Sequence, residues 1–316
     1  MKGTVYKSTG SWYTVKAEDG RFYDCRIKGK FRIKGIKSTN PVAVGDEVTL
    51  ILEEEGQKNT AVIVAISDRK NYIVRKSVNL SKQVHIIAAN IDQVFLLVTL
   101  SHPTTYTAFI DRFLVTAEAY DIPVILLFNK LDIYDKAEID EIGQLMHLYA
   151  SIGYEVQSIS AKKRENIDWV IERMKDKTTM FSGNSGVGKS TLVNAIQPGL
   201  NLKTAEISEQ HLQGQHTTTF AEMHELAIGA RIIDTPGIRG FGVVDMEKDE
   251  LGDYFPEFFA LKSNCKFNNC LHLDEPKCAI KDALENNEIA WSRYRSYLQI
   301  IEEDVNESYR KDDYGN

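Results

Sequence analysis

Residues Gly183-Asn184-Ser185-Gly186-Val187-Gly188-Lys189-Ser190-Thr191 match the pattern G-x-x-x-x-G-K-[ST] in full, and this match restricts the chain to few folds. The glycines let backbone N–H groups approach phosphate oxygens, and the helix that follows directs its positive end at the anion. Lys189 supplies a charge to the β- and γ-phosphates, and Ser190 supplies a hydroxyl to Mg²⁺. The pattern therefore predicts a phosphate-binding loop between a strand and a helix.

A second motif lies upstream, at the end of the apolar run Val124–Phe128. The tetrad Asn129-Lys130-Leu131-Asp132 falls at the carboxyl end of this predicted strand, where open α/β sheets bind ligands. Asp132 can accept hydrogen bonds from both the N1–H and the 2-amino group of guanine. Further on, Ser160-Ala161-Lys162 ends another predicted strand and fits the element whose backbone and lysine cover the base. These two motifs predict a guanine-binding site.

Downstream of the phosphate loop, Arg231–Gly237 predicts an apolar strand followed by the pattern DxxG. Asp234 can hold Mg²⁺ through water, and the Gly237 N–H can meet the γ-phosphate. Between loop and strand lies the polar stretch Gln213-Gly214-Gln215-His216-Thr217-Thr218-Thr219, which is typical of a mobile switch I. Thr218 or Thr219 is expected to reach Mg²⁺ in the GTP state, and the sequence leaves open which of them does so.

The guanine tetrad precedes the phosphate loop, whereas ordinary GTPases carry these elements in the opposite order. The chain therefore looks like a circularly permuted GTPase. Permutation keeps the nucleotide site but moves the chain ends, so the strand that ends at Asp234 leads directly into whatever follows. We expect a nucleotide-driven switch to pull on a C-terminal domain.

Predicted strands and helices alternate through the middle of the chain, which indicates a mostly parallel sheet covered on both faces. We assign this region, residues 69–240, to a circularly permuted P-loop GTPase domain of the α/β class. The predicted strands are Ile91–Leu100, Val124–Phe128 and Tyr154–Ile159, and the predicted helices are Tyr106–Tyr120, Ala137–Ser151 and Glu165–Lys175.

Three of the four cysteines fall within residues 265–278, in the pattern C-x4-C-x-H-x5-C. In a reducing cytosol such clustering indicates a metal rather than disulfides. Three thiolates and one imidazole complete a closed tetrahedral Zn²⁺ site with no open position for catalysis. The predicted ligands of one structural zinc per chain are Cys265, Cys270, His272 and Cys278. The remaining Cys25 is expected to be a small core residue.

We assign residues 241–316 to an α-helical zinc-binding domain. Apolar residues recur there at helical spacing and predict one amphipathic helix that packs on a core. They are Ile280, Leu284, Trp291, Tyr294, Leu298 and Ile301. The polar tail from Glu302 to Asn316 is expected to fray.

The first 68 residues show short alternating runs separated by glycines, which predicts a small OB-type β-barrel. Lys28, Lys30, Arg32 and Lys34 alternate with uncharged residues, so an extended strand would place four cations on one face. Such a stripe is either a footprint for a phosphate backbone or a solvated strand face. An OB-type barrel favours nucleic acid, because that fold commonly binds oligonucleotides.

The composition is that of a soluble multidomain enzyme, with a net charge of −7 and 43% hydrophobic residues. No apolar run approaches the roughly 20 residues of a membrane span, and the N-terminus carries no apolar signal segment. We expect a cytoplasmic protein without membrane contact, and a complete two- or three-domain core favours a monomer.

With these motifs together, the chain resembles the YjeQ/RsgA family of GTPases that depend on the small ribosomal subunit. The residues that carry the likeness are Asn40-Pro41-Val42-Ala43-Val44-Gly45-Asp46, the five GTPase motifs and the cysteine pattern. The resemblance implies GTP hydrolysis to GDP and phosphate, stimulated by the 30S subunit during its late maturation. It also implies that the barrel and the zinc domain contact 16S rRNA.

Two other functions remain to be weighed. One is a P-loop ATPase or kinase that acts on a small molecule, which the guanine motifs disfavour. The other is a nucleotide-sensing RNA-binding module without turnover.

The catalytic groups are predicted from the phosphate loop and switch I. Lys189 would neutralise charge on the transferring phosphate, and Thr218 would join it as a catalytic group if it is the threonine that reaches Mg²⁺. A Ras-type GTPase has a glutamine after DxxG to orient the attacking water, but here Ile238 follows Gly237. His216 is the nearest group by sequence that could take this role, although it could also be a surface histidine. The subunit would then act by ordering switch I, so that His216 or an rRNA group positions the water.

Overall fold

The computed structural model of the chain describes residues 1–28, 41–53, 59–76, 84–200, 221–234 and 248–312. It begins with five strands: β1 (Lys2–Ser8), β2 (Tyr13–Ala17), β3 (Phe22–Ile27), β4 (Glu47–Leu52) and β5 (Thr60–Ile66). Strand β1 pairs with β2 and β4, β2 with β3, β3 with β5, and β5 with β4, so the ladder closes on itself. The predicted OB-type barrel is confirmed.

The barrel is filled by alternate residues of its strands, as the period-two pattern requires. Val15, Cys25 and Ile63 are fully buried in its core. The prediction that Cys25 is a core residue is therefore confirmed.

A two-stranded antiparallel sheet, β6 (Tyr72–Lys76) and β7 (Val84–Ala89), follows the barrel and was not predicted from the sequence. It is tied to the barrel by a bridge between Val44 and Ala88. Gly45, with a φ of +91°, approaches so closely that an added Cβ would lie 2.1 Å from the Ala89 carbonyl oxygen. Only glycine fits there, which explains the glycine within the segment Asn40–Asp46.

The central sheet contains β8 (Gln93–Val98), β9 (Val124–Phe128), β10 (Glu155–Ser158), β11 (Thr178–Ser182), β12 (Glu222–Glu225) and β13 (Arg231–Asp234). Their order is β10-β9-β8-β11-β13-β12, parallel throughout except for β12. Strand β11, which precedes the phosphate loop, thus lies between β8 and β13. Strand β8 comes about 80 residues earlier in the sequence, and β13 comes later. The predicted mostly parallel sheet and its permuted order are confirmed.

Helices cover both faces of this sheet, which is why β8, β9 and β11 are buried along their whole length. They are α1 (Thr107–Ala119), α2 (Lys136–Ile152), α3 (Ile167–Met174) and α4 (Lys189–Ile196). Helices α1 and α2 pack on one face, and α3 and α4 pack on the other. The predicted helices are present, with ends that differ by one or two residues.

The C-terminal region contains α5 (Pro256–Leu261), α6 (Ala279–Glu285) and α7 (Trp291–Asp312). The prediction of one amphipathic helix from Ile280 to Ile301 is wrong, because the helix is interrupted between α6 and α7. Asn287, in this interruption, has a φ of +57°. Trp291 starts α7 and is 59% exposed, so it does not belong to the buried stripe.

The expected fraying of the tail from Glu302 is also corrected, since α7 continues to Asp312. Packing of its first turns supplies the nucleus, and each further residue adds one backbone hydrogen bond at little cost. Within the described residues, no helix is long and apolar enough to cross a membrane.

Candidate functional site

The phosphate loop forms the turn between β11 and α4, as the sequence predicts. Gly183, Gly186 and Gly188 have φ values of +135°, +82° and +103°, which side chains rarely adopt. The Lys189 ammonium donates to the carbonyl oxygens of Gly183 and Asn184, at 2.7 and 2.9 Å. It is thereby held over the hollow of the loop, where a phosphate group would lie.

Burial lowers the pKa of Lys189 below its usual range, although the nearby Asp234 carboxylate acts in the opposite direction. A desolvated cation gains more from an anionic ligand than a hydrated one does. The loop is therefore electrostatically prepared for a polyphosphate.

Asn129 connects three parts of the site. Its side-chain amide donates to the Val187 carbonyl at 2.8 Å, and its carbonyl oxygen accepts from the Ala161 N–H at 3.0 Å. A Cβ on Gly188 would lie 2.4 Å from the Asn129 amide nitrogen. Asn129 thus fixes the phosphate loop against both guanine motifs. The sequence predicted each motif but not this contact, because it spans 58 residues.

Asp132 lies at the mouth of the same cleft, where its carboxylate accepts from the Ser160 hydroxyl at 2.6 Å. Ser160 is fully buried and also accepts from the Lys163 N–H, at 3.1 Å. One oxygen of Asp132 is therefore oriented by the protein. Leu131, Asp132 and the loop residue Lys130 are partly buried at this edge, and Lys162 is exposed.

Lys130 reaches across to a loop that the sequence analysis did not include. Its ammonium donates to the carbonyl of His102, and Pro103 lies 3.5 Å from the Cβ position of Gly186. The loop after β8 therefore packs between the guanine tetrad and the phosphate loop. Its sequence, Ser101-His102-Pro103-Thr104, carries only the turn signal of its proline.

Asp234 ends β13 directly beside the phosphate-loop strand, because β13 pairs with β11 through Ile233 and Met180. The structure thus brings Asp234 and Ser190 to the same edge of the sheet, where both would meet a bound magnesium ion. Several predicted site residues lie outside the described residues: His216, Thr218, Thr219 and Gly237.

The four predicted metal ligands converge in the C-terminal region. One donor atom from each of Cys265, Cys270, His272 and Cys278 lies within 4.8 Å of all the others. The His272 Nδ1 atom is 3.7 Å from the Cys265 sulfur and 3.4 Å from the Cys278 sulfur. Three sulfurs and one imidazole nitrogen at such spacing fit a tetrahedral zinc ion, whose bonds to sulfur measure about 2.3 Å.

Burial acts in opposite directions on the two kinds of ligand in this cluster. Burial lowers the pKa of His272, which keeps its ring neutral, while burial raises the pKa of the Cys270 thiol to about 12. A metal ion would have to displace that thiol proton. Glu275 accepts from the Leu271 and Leu273 N–H groups, each at 2.8 Å, and so shapes the ligand loop.

The predicted basic stripe is described only at its first residue. Lys28 is exposed and follows β3, where even-numbered residues point outward. Lys30, Arg32 and Lys34 lie outside the described residues.

Comparison with known proteins agrees with this geometry. Residues 66–244 match the family described as RsgA GTPase, and residues 2–60 match the RsgA N-terminal domain. A protein of Christiangramia forsetii named small ribosomal subunit biogenesis GTPase RsgA is 68% identical over 314 residues, covering 99% of both chains. A protein of Bacteroides fragilis with the same name is 56% identical over 310 residues, covering 98% of this chain and 99% of the other.

Two solved structures have the same architecture. The crystal structure of YjeQ from Thermotoga maritima superimposes with a TM-score of 0.78 at 36% identity, covering 96% of this chain and 97% of that one. The structure of YloQ, described as a circularly permuted GTPase, gives a TM-score of 0.75 at 33% identity, covering 97% and 95%.

Proposed function

This chain belongs to the RsgA GTPase family and is a GTP hydrolase of small ribosomal subunit biogenesis, and on that premise we propose how its residues act. The observation that carries the proposal is the position of Asn129, which joins the phosphate loop to both guanine motifs in one cleft. Family membership argues against a small-molecule kinase and against a sensor without turnover.

In the bound state, the backbone of residues 183–191 would hold the phosphates, and Lys189 would neutralise the charge that develops during transfer. Ser190, Asp234 and a threonine of switch I would hold Mg²⁺, which would supply positive charge to the phosphates. Asp132 would read the guanine edge, with Ser160, Ala161 and Lys162 against the base. This division of roles is supported by the shared cleft and by the partly buried Ser160–Asp132 hydrogen bond.

Asp132→Asn tests the guanine assignment. The amide offers a donor where xanthine has a carbonyl, so the variant should lose GTP affinity and gain xanthosine triphosphate. Asp140→Asn, an exposed aspartate of α2, makes the same charge change away from the cleft and serves as the control. Unchanged GTP affinity in Asp132→Asn would remove the assignment.

The small subunit would stimulate hydrolysis by ordering switch I so that His216 or an rRNA group positions the attacking water. Turnover with and without purified 30S particles tests the stimulation itself. His216→Ala should lose most of the stimulated rate while nucleotide affinity holds, and the exposed His147→Ala is the control. If His216→Ala is stimulated as strongly as the parent, His216 does not position the attacking water, and a group of the ribosome does so instead. Thr218→Ala and Thr219→Ala would show which threonine serves Mg²⁺.

We divide the chain into a barrel (1–68), a GTPase domain (69–240) and a zinc domain (241–316). Cys265, Cys270, His272 and Cys278 would hold one structural zinc ion that supplies folding energy to the last domain. The barrel and zinc domain would contact 16S rRNA in the cytoplasm, with the protein acting as a monomer. Neutralising Lys28, Lys30, Arg32 and Lys34 should flatten the salt dependence of subunit binding. An unaltered slope would make the stripe a solvated surface.

A further inference from the structure

Backbone pairing joins the barrel to the central sheet. Strand β1 of the barrel pairs with β12, so the two sheets continue into each other. In this ladder Lys7 lies opposite Glu222, and in the next ladder Glu222 lies opposite Asp234. Lys7, Glu222 and Asp234 therefore form one row across three strands, from the barrel to the carboxylate assigned to Mg²⁺.

Side chains of directly opposed residues share a face of the sheet, with Cβ atoms roughly 4.5–5.5 Å apart. The Lys7 ammonium lies 3.2 Å from the Glu222 carboxylate, and each side chain is 44% exposed. Two carboxylates, Glu222 and Asp234, thus stand side by side, and Lys7 of the barrel compensates the charge of the first. Any shift of β1 changes the electrostatic surroundings of Asp234.

The other face of β12 is also held by the barrel. The Glu225 carboxylate accepts from the Tyr6 hydroxyl at 2.5 Å and from the Lys16 ammonium at 2.5 and 2.6 Å. Tyr6 is buried in the same core cluster as Met223 and Ile233. Barrel side chains therefore contact β12 on both of its faces, so we expect a movement of the barrel to displace β12 and its partner β13.

The sequence places β12 between the two switches. Residues 213–219, assigned to switch I, precede β12, and β13 ends at Asp234, where DxxG begins. No other barrel strand pairs with a strand of the central sheet among the described residues.

We propose that Lys7 and Glu222 are positioning residues that couple the barrel to Asp234, so that a partner bound to the barrel changes the rate of hydrolysis. The inference rests on the proposed stimulation by the small subunit. By linkage, if the partner changes the relative affinity of the protein for GTP and GDP, the nucleotide state changes the affinity for the partner by that same factor.

The test uses opposite charge changes at the two ends of the pair. Lys7→Glu makes the barrel more acidic, and Glu222→Lys makes the protein more basic, so their effects on general RNA attraction have opposite signs. Both break the pair, and both should lower the maximal rate at saturating 30S particles, roughly threefold to fivefold for an exposed pair. The double variant Lys7→Glu/Glu222→Lys restores the pair and should recover most of the stimulation.

The matched control is Glu155→Lys, which breaks the exposed pair with Arg173 (2.7 Å) at the opposite edge of the same sheet. It should be stimulated like the parent. Lys7→Glu should keep the parent's basal rate and GDP affinity, and the preference of its 30S complex for a GTP analogue over GDP should fall.

Three results would overturn the proposal: parental stimulation in both single variants, rescue failing in the double variant, or equal loss in the control. A parent that 30S particles do not stimulate would refute the proposed function, and the coupling with it. A stimulated parent with stimulated variants would refute the coupling alone.

Discussion

Removing Arg293 should destabilise the C-terminal region more than any single surface change. Its guanidinium is fully buried between the carboxylates of Asp111 in α1, at 2.8 Å, and Glu257 in α5, at 2.6 Å. Asp111 also accepts from Tyr149 at 2.9 Å and from Ser296 at 2.5 Å. The cluster contains two carboxylates and one cation, so Arg293→Met leaves the buried Asp111 and the partly buried Glu257 without compensation.

Breaking a buried pair in this way costs about 3–5 kcal/mol, whereas replacing both partners by apolar residues is often nearly neutral. We therefore expect about 3–5 kcal/mol for Arg293→Met. Asp111→Asn should cost less, about 1.5–3 kcal/mol, because Glu257 still pairs with the arginine. The double variant Arg293→Met/Asp111→Leu should cost clearly less than the sum of its parts.

The three tryptophans give the assay, since one lies in each region: Trp12 in the barrel, Trp169 in α3 and Trp291 in α7. With Trp12 and Trp169 replaced by phenylalanine, urea unfolding followed by Trp291 fluorescence reports on the C-terminal region. The control is Arg173→Met, which removes an exposed pair worth at most about 1 kcal/mol. A cost for Arg293→Met no larger than the control's would refute the reasoning.

Three further results are expected. Gly188→Ala should weaken GDP binding at least tenfold in a fluorescent-nucleotide titration, because its Cβ would lie 2.4 Å from the Asn129 amide nitrogen, while Gly143→Ala, with open space around it, should bind normally. Freshly purified reduced protein should contain about one zinc per chain by metal analysis, and Cys270→Ala should lose it and unfold the C-terminal region only; zinc-free parent protein would contradict this. The hydrogen bond from Lys16 holds the pKa of Glu225 below its usual value. This pair therefore stabilises the fold above about pH 4.5 and loses its effect as pH falls further. The stability difference between parent and Glu225→Gln should therefore shrink on acidification, and a constant difference would exclude the pair as its source.

Local patterns sufficed for the elements that carry the nucleotide and metal motifs. The loop 183–191 demands a strand before it and a helix after it, and the run Val124–Phe128 is too apolar for anything but a buried strand. Glycine and proline residues between the alternating runs indicated where the barrel strands end. The spacing of Cys265, Cys270, His272 and Cys278 by itself indicated that they converge.

What the sequence did not reveal depends on contacts between distant residues. Arg293 reads as a polar residue of an amphipathic helix, yet it is fully buried because its partner Asp111 lies 182 positions away. The pairing of Lys7 with Glu222 joins residues 215 positions apart. The break before α7 depends on Asn287, which tolerates positive φ, but so do many asparagines inside loops.

Because the chain is permuted, the parts of the nucleotide site are synthesised in a particular order. Strands β8, β9 and β10, of which β9 leads into the guanine tetrad, leave the ribosomal tunnel before the phosphate-loop strand that lies beside β8. The last parallel strand ends at Asp234, so the residues assigned to the base are synthesised well before those assigned to the phosphates and the metal. Strand β1, made first, waits for its partner β12 while about 200 residues are added at roughly 5–20 residues per second. The complete nucleotide site therefore exists only after the chain has been synthesised as far as Asp234, while the zinc-binding domain is still to be made.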